Sequence, residues 1–372
     1  MPKQMSKKVI LCISNDIHTD QRLHKVCTSL KSRHYKVELL GRKLPSSKSL
    51  NRDYSCKRLS ILANSGFLFY AFLNIQFFIY LLFKSVDIIV ANDLDTLPAC
   101  HLASKLKRKP LIVDLHELFS EVPEVVARPK VQKVWKRIES YYLPKQKHVI
   151  TVCKSIADHY EKLYGIQLEV VRNIPMKNED SIENIQKNSD TTLLYQGAVN
   201  LGRGIETMVE SMVYLPSQFK LWIVGSGDLS ENISNLITEY NVQDRVKMFG
   251  RVEPEELKKL TPQAHLGLSL EENLGLNYYY ALPNKLFDYL HAQIPMVVSP
   301  FPEMSAIVEG NNIGYIRQSV TSEGLALEIK EIFSNETVYQ EKMKACESAK
   351  EKLTWENEFE SYFMLIQSSE VK

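Results

Sequence analysis

Two stretches in the second half of the chain hold side chains suited to gripping a phosphate. In Tyr195-Gln-Gly-Ala-Val-Asn-Leu-Gly-Arg-Gly-Ile-Glu206 a strand-like run stops at Gly197. A loop then carries Gly202-Arg203-Gly204, and a helical pattern starts at once. Glycines let backbone approach a ligand closely, and a helix N-terminus offers unbonded N–H groups to an anion. Arg203 adds a fixed, forked charge. The spacing is neither the dinucleotide fingerprint nor a P-loop, and a plain strand–helix turn explains the glycines equally well. Further on, Pro283 starts a helix with Asn284 and Lys285 in its first turn. A lysine there opposes the helix dipole, which makes sense if it meets a ligand anion; a solvated helix start is the bland reading. Asp288, four residues from Asn284, can share that face and accept from a ribose diol. Glu271 and Glu272 end the strand just upstream.

The first half offers Asp114-Leu-His116-Glu117 at the end of an apolar strand, placing His116 to donate to a hydroxyl or phosphate. A lone histidine is more often structural. Asn15-Asp-Ile-His-Thr-Asp20-Gln-Arg22 follows the first strand, and Asp20 with Arg22 forms an internal ion pair as readily as a site. Asp93-Leu-Asp95 has the spacing to hold a divalent cation on a diphosphate, but capping of the helix Leu97–Leu106 explains it as well.

These groups need a scaffold, and the hydrophobic periodicity supplies one. Strand-like runs at residues 8–13, 36–40, 86–91, 110–113 and 148–152 alternate with helical stretches, the pattern of a parallel sheet with crossovers. A polar, aperiodic linker at Met176–Asp190 follows. A second alternating series then runs from Thr192 to Ser299, and Glu341–Gln367 reads as one long charged helix with Trp355, Phe359, Tyr362 and Phe363 on its apolar face. The expected domains are residues 1–175, residues 188–345 and a final helix over 346–372. Two doubly wound sheets in tandem predict a ligand cleft at the carboxyl ends of their strands.

At 372 residues, 44% hydrophobic and 24% charged, the composition is that of a globular chain of two or so domains. Six scattered cysteines without a CxxC argue for a reducing compartment and against structural zinc. The apolar run at the N-terminus is too short for a signal peptide, so an intracellular protein is expected. The net charge of +2 hides a segregation: residues 1–175 have 29 Lys/Arg against 15 Asp/Glu, the remainder 17 against 29. A basic half implies an anionic partner. No nucleic-acid-binding motif appears, so nucleic acid is not the expected partner. Gly66–Phe83 is 18 residues of almost unbroken apolar character, flanked by Lys57, Arg58 and Lys84. Its neighbours belong to one sheet, so it reads as an interfacial or sheet-packed helix rather than a span, and membrane contact is favoured.

Taken in order, Asp20-Gln-Arg-Leu-His-Lys, Ala91-Asn-Asp-Leu-Asp-Thr-Leu-Pro, Asp114-Leu-His-Glu, Ile150-Thr-Val-Cys-Lys-Ser-Ile-Ala, Val171-Arg-Asn-Ile-Pro, Tyr195-Gln-Gly with Gly202-Arg-Gly, Phe249-Gly-Arg-Val and Pro283-Asn-Lys-Leu-Phe-Asp-Tyr with Pro295 resemble the retaining glycosyltransferases of family 4 over nearly the whole chain. The resemblance implies the GT-B fold, two facing Rossmann-like domains with the C-terminal helix returning to the first. It implies a cytoplasmic enzyme, peripheral on the inner face of the membrane, that moves a sugar from a UDP- or GDP-sugar to a glycan or lipid-linked acceptor in polysaccharide or glycoconjugate synthesis. No metal or other cofactor is implied. Gly197, Gly202, Arg203 and Lys285 would bind the donor diphosphate. Arg251, Asn284, Leu286 and Asp288 would bind the nucleoside, and His116 would sit by the transferred sugar. Asn15, Asp20 and Arg22 would lie on the acceptor side. The family's first acidic position, eight residues before Asp288, is Tyr280 here, so that role passes to Glu271 or Glu272. Three alternatives stay open: a non-catalytic GT-B subunit that anchors or regulates a partner, a metal-dependent single-domain transferase using Asp93 and Asp95, and a 2-epimerase.

Overall fold

The computed structural model describes residues 6–18, 20–177 and 190–370, and it resolves the alternating pattern into two compact α/β units. One comprises the chain up to Asn173 together with Trp355 onward; the other is Ile174–Thr354. Most of the expected linker, residues 178–189, lies outside the described residues.

The first unit is built on strands β1 (Lys8–Cys12), β2 (Lys36–Lys43), β3 (Ser55–Ser60), β4 (Ile88–Asn92), β5 (Leu111–Leu115), β6 (His148–Thr151) and β7 (Glu169–Val170). They pair in parallel in the order β3-β2-β1-β4-β5-β6-β7. Val9–Cys12, Ile88–Ala91, Ile112 and Val113 are buried without alternation, because crossover helices cover both faces. The strand order reverses between β1 and β4, which puts the ligand crevice of such a sheet outside their carboxyl ends. Asn92 ties those ends together, its Nδ2 donating to Cys12 O at 2.9 Å.

The second unit holds β8 (Thr191–Gln196), β9 (Phe219–Val224), β10 (Val246–Gly250), β11 (Leu266–Ser269), β12 (Met296–Val298) and β13 (Gly314–Ile316), parallel in the order β10-β9-β8-β11-β12-β13. Here the order reverses between β8 and β11. Their pairing stops at Leu194 and Gly267. Beyond it, Tyr289 Oη lies 3.1 and 3.2 Å from the carbonyls of Leu194 and Leu268 and accepts from Gln196 N at 3.2 Å. Gly267 permits this, since a Cβ there would stand 2.3 Å from the Tyr289 ring. A second parallel sheet of this size has no place in a single-domain transferase, which removes that alternative.

The expected single C-terminal helix is two, Glu336–Lys350 and Trp355–Ser369. Tyr339, Cys346 and Ala349 of the first face the cores of the second unit. Trp355, Phe359, Tyr362 and Ile366 of the second pack into the core of the first. The chain must turn at residues 351–354 to serve both. Trp355 Nε1 donates to Ser29 Oγ at 2.8 Å, and Glu358 pairs with Arg172.

Candidate functional site

In the second unit, the polar residues gather at the carboxyl ends of β8 and β11. The loop after β8 lies flat on the segment after β11. Gly202 and Gly204 make this possible: both have left-handed φ (+77° and +68°), and a Cβ would strike Leu274 Cδ1 at 2.4 Å or Leu270 O at 2.3 Å. The close approach brings Arg203 against Glu271. The Glu271 carboxylate is buried and accepts from Lys285 Nζ at 2.7 Å through one oxygen and from Ser269 Oγ at 2.7 Å through the other. Arg203 Nη1 stands 3.7 Å from the oxygen shared with Lys285. Burial pushes the Glu271 carboxyl up, but Lys285, Ser269 and Arg203 prevail and hold it below the ordinary value. Lys285 is buried and pulled below the usual lysine value by desolvation, which Glu271 opposes. Its ammonium lies 4.3 Å over the Tyr195 ring; the Arg203 guanidinium lies 4.8 Å over Tyr278. Two cations thus face one carboxylate, beside the N-terminus of the helix Ile205–Tyr214. Across these three groups the balance is positive, which suits an anion.

Around this cluster, Gly197 closes β8 with φ +138°, and the position of its absent Cβ is 3.7 Å from Lys285 Cε. Asp288 Oδ2 accepts from Gln196 Nε2 at 2.8 Å, while Gln196 Oε1 accepts from Thr261 Oγ1 at 2.8 Å. Glu272, Arg251 and Asn284 are exposed. Asn284 and Asp288 therefore do not join Lys285 on one buried face. The Leu286 side chain is fully buried in the core, because the helix Asn284–His291 packs that face onto the sheet. Only its backbone can reach a ligand.

In the first unit, His116 follows β5 and is held between two carboxylates. Its backbone N donates to Asp93 Oδ1 at 2.8 Å, its Nδ1 is 3.3 Å from Asp93 Oδ2, and its Nε2 is 3.5 Å from Asp114 Oδ2. Burial lowers an imidazole pKa, but Asp93 and Asp114 override it and push His116 up to about 9. Asp93 adopts φ +62° to reach the ring. The expected helix cap is thus corrected: Thr96 is the N-cap residue of the helix Leu97–Lys107, without a side-chain cap bond, and Asp93 serves His116 instead. Asp95 is buried, with one oxygen lacking a hydrogen-bond partner, and burial together with Asp93 pushes it up to about 7. Among the described residues no three His, Cys, Asp or Glu side chains gather as metal ligands would.

One acceptor-side expectation is corrected. Arg22 is buried, donating to both Asp114 oxygens (2.8 and 3.2 Å) and to Val171 O at 3.0 Å. Asp20 caps the helix Gln21–Ser32 by accepting from Leu23 N at 2.8 Å. Arg22 is thus taken up in holding β5, while Asp20, half-buried, caps the first helix through one carboxylate oxygen. Asn15 is exposed beside the carboxyl end of β1, its carbonyl accepting from Arg42 N at 3.0 Å. The residues that sequence reasoning missed are Gln196, Ser269 and Tyr278, which orient Asp288, Glu271 and Arg203. Gln196, just before the glycine that ends its strand, was the one detectable from position alone.

Two parallel sheets wound on both faces, with polar side chains gathered at carboxyl strand ends, define the class of tandem Rossmann-like proteins, whose ligands bind at those ends. The model of Glycosyltransferase Family 4 matches residues 20–175, and that of Glycosyl transferases group 1 matches residues 176–353. The chain therefore belongs to the GT-B glycosyltransferases of the family 4 type and is a nucleotide-sugar glycosyltransferase. Similar solved structures include sucrose-phosphate synthase from Thermosynechococcus elongatus (TM-score 0.78, 17% identity, 97% of this chain and 98% of that one). Another is Anabaena HepE in complex with UDP and glucose (TM-score 0.76, 13% identity, 97% and 100%). A third is the lipopolysaccharide outer core galactosyltransferase WaaB (TM-score 0.69, 14% identity, 97% and 99%). At these identities they speak for the fold. A search of the curated proteins finds no match.

Proposed function

We propose that the protein transfers a hexose from a UDP- or GDP-sugar to a glycan or lipid-linked acceptor, with retention of anomeric configuration and without a metal ion. The setting is the cytoplasmic face of a membrane, in the synthesis of a cell-surface polysaccharide or glycoconjugate. The observation behind this reading is the pair Arg203 and Lys285 set around a single buried carboxylate, which leaves net positive charge for a diphosphate. Arg203 and Lys285 bind the diphosphate, and Asp288, oriented by Gln196, accepts from the ribose hydroxyls. Arg251 and Asn284 flank the nucleoside. His116, held as an imidazolium, donates to the transferred sugar, and Asn15 lies on the acceptor side. The bond from the anomeric carbon to the leaving phosphate oxygen breaks while the acceptor oxygen bonds that carbon from the same face. The acceptor proton passes to the departing phosphate. Cations fixed in place beforehand stabilise the charge that grows on that leaving group.

HepE bound to UDP and the galactosyltransferase WaaB support this choice of donor and acceptor class. The decisive experiment screens donor hydrolysis and transfer over UDP-, GDP- and ADP-sugars with excess EDTA present. Turnover with one donor that survives EDTA supports the reading. Activity that EDTA abolishes, or no nucleotide binding at all, overturns it.

A further inference from the structure

Glu271 and Glu272 are adjacent carboxylates with opposite environments. Glu272 is exposed; its backbone N donates to Gly202 O at 2.9 Å, and its carboxylate lies near enough to favour the charge of Arg317. The Glu271 side chain is inaccessible; Lys285, Ser269 and Arg203 surround its oxygens. Its backbone is fixed as well, the carbonyl accepting from Ser299 Oγ at 2.6 Å. A carboxylate buried in this way, with each oxygen already accepting a hydrogen bond, presents no oxygen to a sugar. We infer that Glu271 is a positioning residue that keeps Lys285 protonated and aimed for the donor diphosphate, and that Glu272 is the acidic residue facing the transferred sugar.

This rests on the proposed donor site and divides the acidic roles within it. The groups facing Lys285 are few. Glu271 is its anion, Arg203 a second cation that repels its charge, and Tyr195 a ring beneath it whose hydroxyl donates to Ala198 O at 2.6 Å. Burial and Arg203 both pull the lysine pKa down, and Glu271 alone opposes them. Without that carboxylate the ammonium sheds its proton as pH rises, as buried lysines do. The diphosphate then loses one of its two cations at alkaline pH and regains it near neutrality.

The test is calorimetric titration of UDP and GDP into wild type, Glu271→Gln, Glu271→Asp and Glu272→Gln at pH 7 and pH 9, using whichever nucleotide the wild type binds, with donor kcat and KM measured in parallel. In Glu271→Gln, the affinity at pH 9 is expected to fall at least several-fold below that at pH 7, because the buried lysine sheds its proton over that range. Wild type and Glu272→Gln stay within about twofold across that range, and Glu271→Asp largely restores the wild-type profile. Glu272→Gln loses kcat with little change in UDP or GDP affinity. If Glu271→Gln binds equally well at both pH values and loses only kcat, Glu271 contacts the sugar and the inference fails. If Glu271→Gln does not fold, Ser269→Ala, which removes one restraint on Glu271, gives the same pH-dependent weakening to a smaller degree; a flat profile there also overturns it. A wild type that binds neither nucleotide refutes the proposed function instead.

Discussion

At the scale of single residues, electrostatics in a small volume decides most outcomes. Arg203→Ala and Lys285→Ala are each expected to lower turnover by ~10²-fold or more, if both cations act on charge that grows as the leaving diphosphate departs; the fold survives in both, with Lys285→Ala the less stable because it strands the buried Glu271 carboxylate. Circular dichroism and steady-state kinetics check both halves of that statement, and near-normal turnover in both variants would remove them from the donor site. His116 gives a separate prediction, in stability. Its folded pKa is raised to about 9 by Asp93 and Asp114, against ~6.5 for a free histidine. A raised folded pKa means a contribution fully present below ~6.5 and lost as pH rises through about 9. Wild type should therefore lose urea resistance relative to His116→Gln between those values, with the two curves parallel outside the window. Parallel curves throughout would mean the imidazole is not held charged. Neither the Arg22–Asp114 pair nor the Lys285–Glu271 pair was legible in the sequence: the first partners are 92 residues apart, the second 14, and only the folded sheet unites them. The residue types suggested an anion site; the restraints around Lys285 and Asp114 belong to tertiary structure.

At the scale of elements, legibility followed burial on both faces. Strands such as Val9–Cys12 and Ile88–Ala91 are continuous apolar runs, so they stood out. β3, Ser-Cys-Lys-Arg-Leu-Ser, is an edge strand of polar residues with no apolar run to betray it, and it escaped notice. The helix Pro129–Tyr142 escaped for a like reason, burying little beyond Trp135 and Glu139. No glycine or proline marks residues 351–354, so the two last helices read as one. Polar residues inside apolar elements proved informative. Asn74, within the helix Gly66–Phe83, donates to Tyr70 O at 2.9 Å and Asp95 O at 2.8 Å and accepts from Ala99 N at 3.0 Å. It pins that helix to the start of Leu97–Lys107, just after β4. Asn74→Leu leaves Ala99 N and the Asp95 carbonyl without this partner and should cost about 1–3 kcal/mol in denaturant unfolding. An unchanged midpoint would show that water replaces the side chain without loss.

At the scale of the whole molecule, charge and apolar surface are segregated. Returning residues 355–372 to the first unit moderates its charge, to 30 Lys/Arg against 19 Asp/Glu, but the second unit still has 16 against 25. The helix Gly66–Phe83 buries Phe69, Leu73, Phe77 and Leu81 at four-residue spacing against the first unit. Its other side leaves Phe67, Leu68, Ile75, Ile79 and Phe83 exposed, Phe67 at 76% and Phe83 at 85%, and the neighbouring helix adds exposed Leu102 and Leu106. A helix with one face in a sheet and the other apolar in water fits a lipid surface better than a span, because crossing the bilayer would unpack Leu73 and Phe77. Lys84, Lys105 and Arg108 lie at the ends of these two helices. Each basic residue near an anionic leaflet contributes ~1 kcal/mol, and each large apolar side chain that enters the interface adds to it. The protein is therefore expected to float with vesicles containing anionic lipid, less so with neutral ones or at high salt, where the charge term is screened. Phe67→Ser, Ile75→Ser and Ile79→Ser combined should weaken flotation at least ~10-fold at every salt concentration, since they remove the apolar term alone. Flotation indifferent to lipid charge would leave the apolar face as the only anchor. No flotation with any vesicle would sink the membrane reading and direct the search to a soluble acceptor.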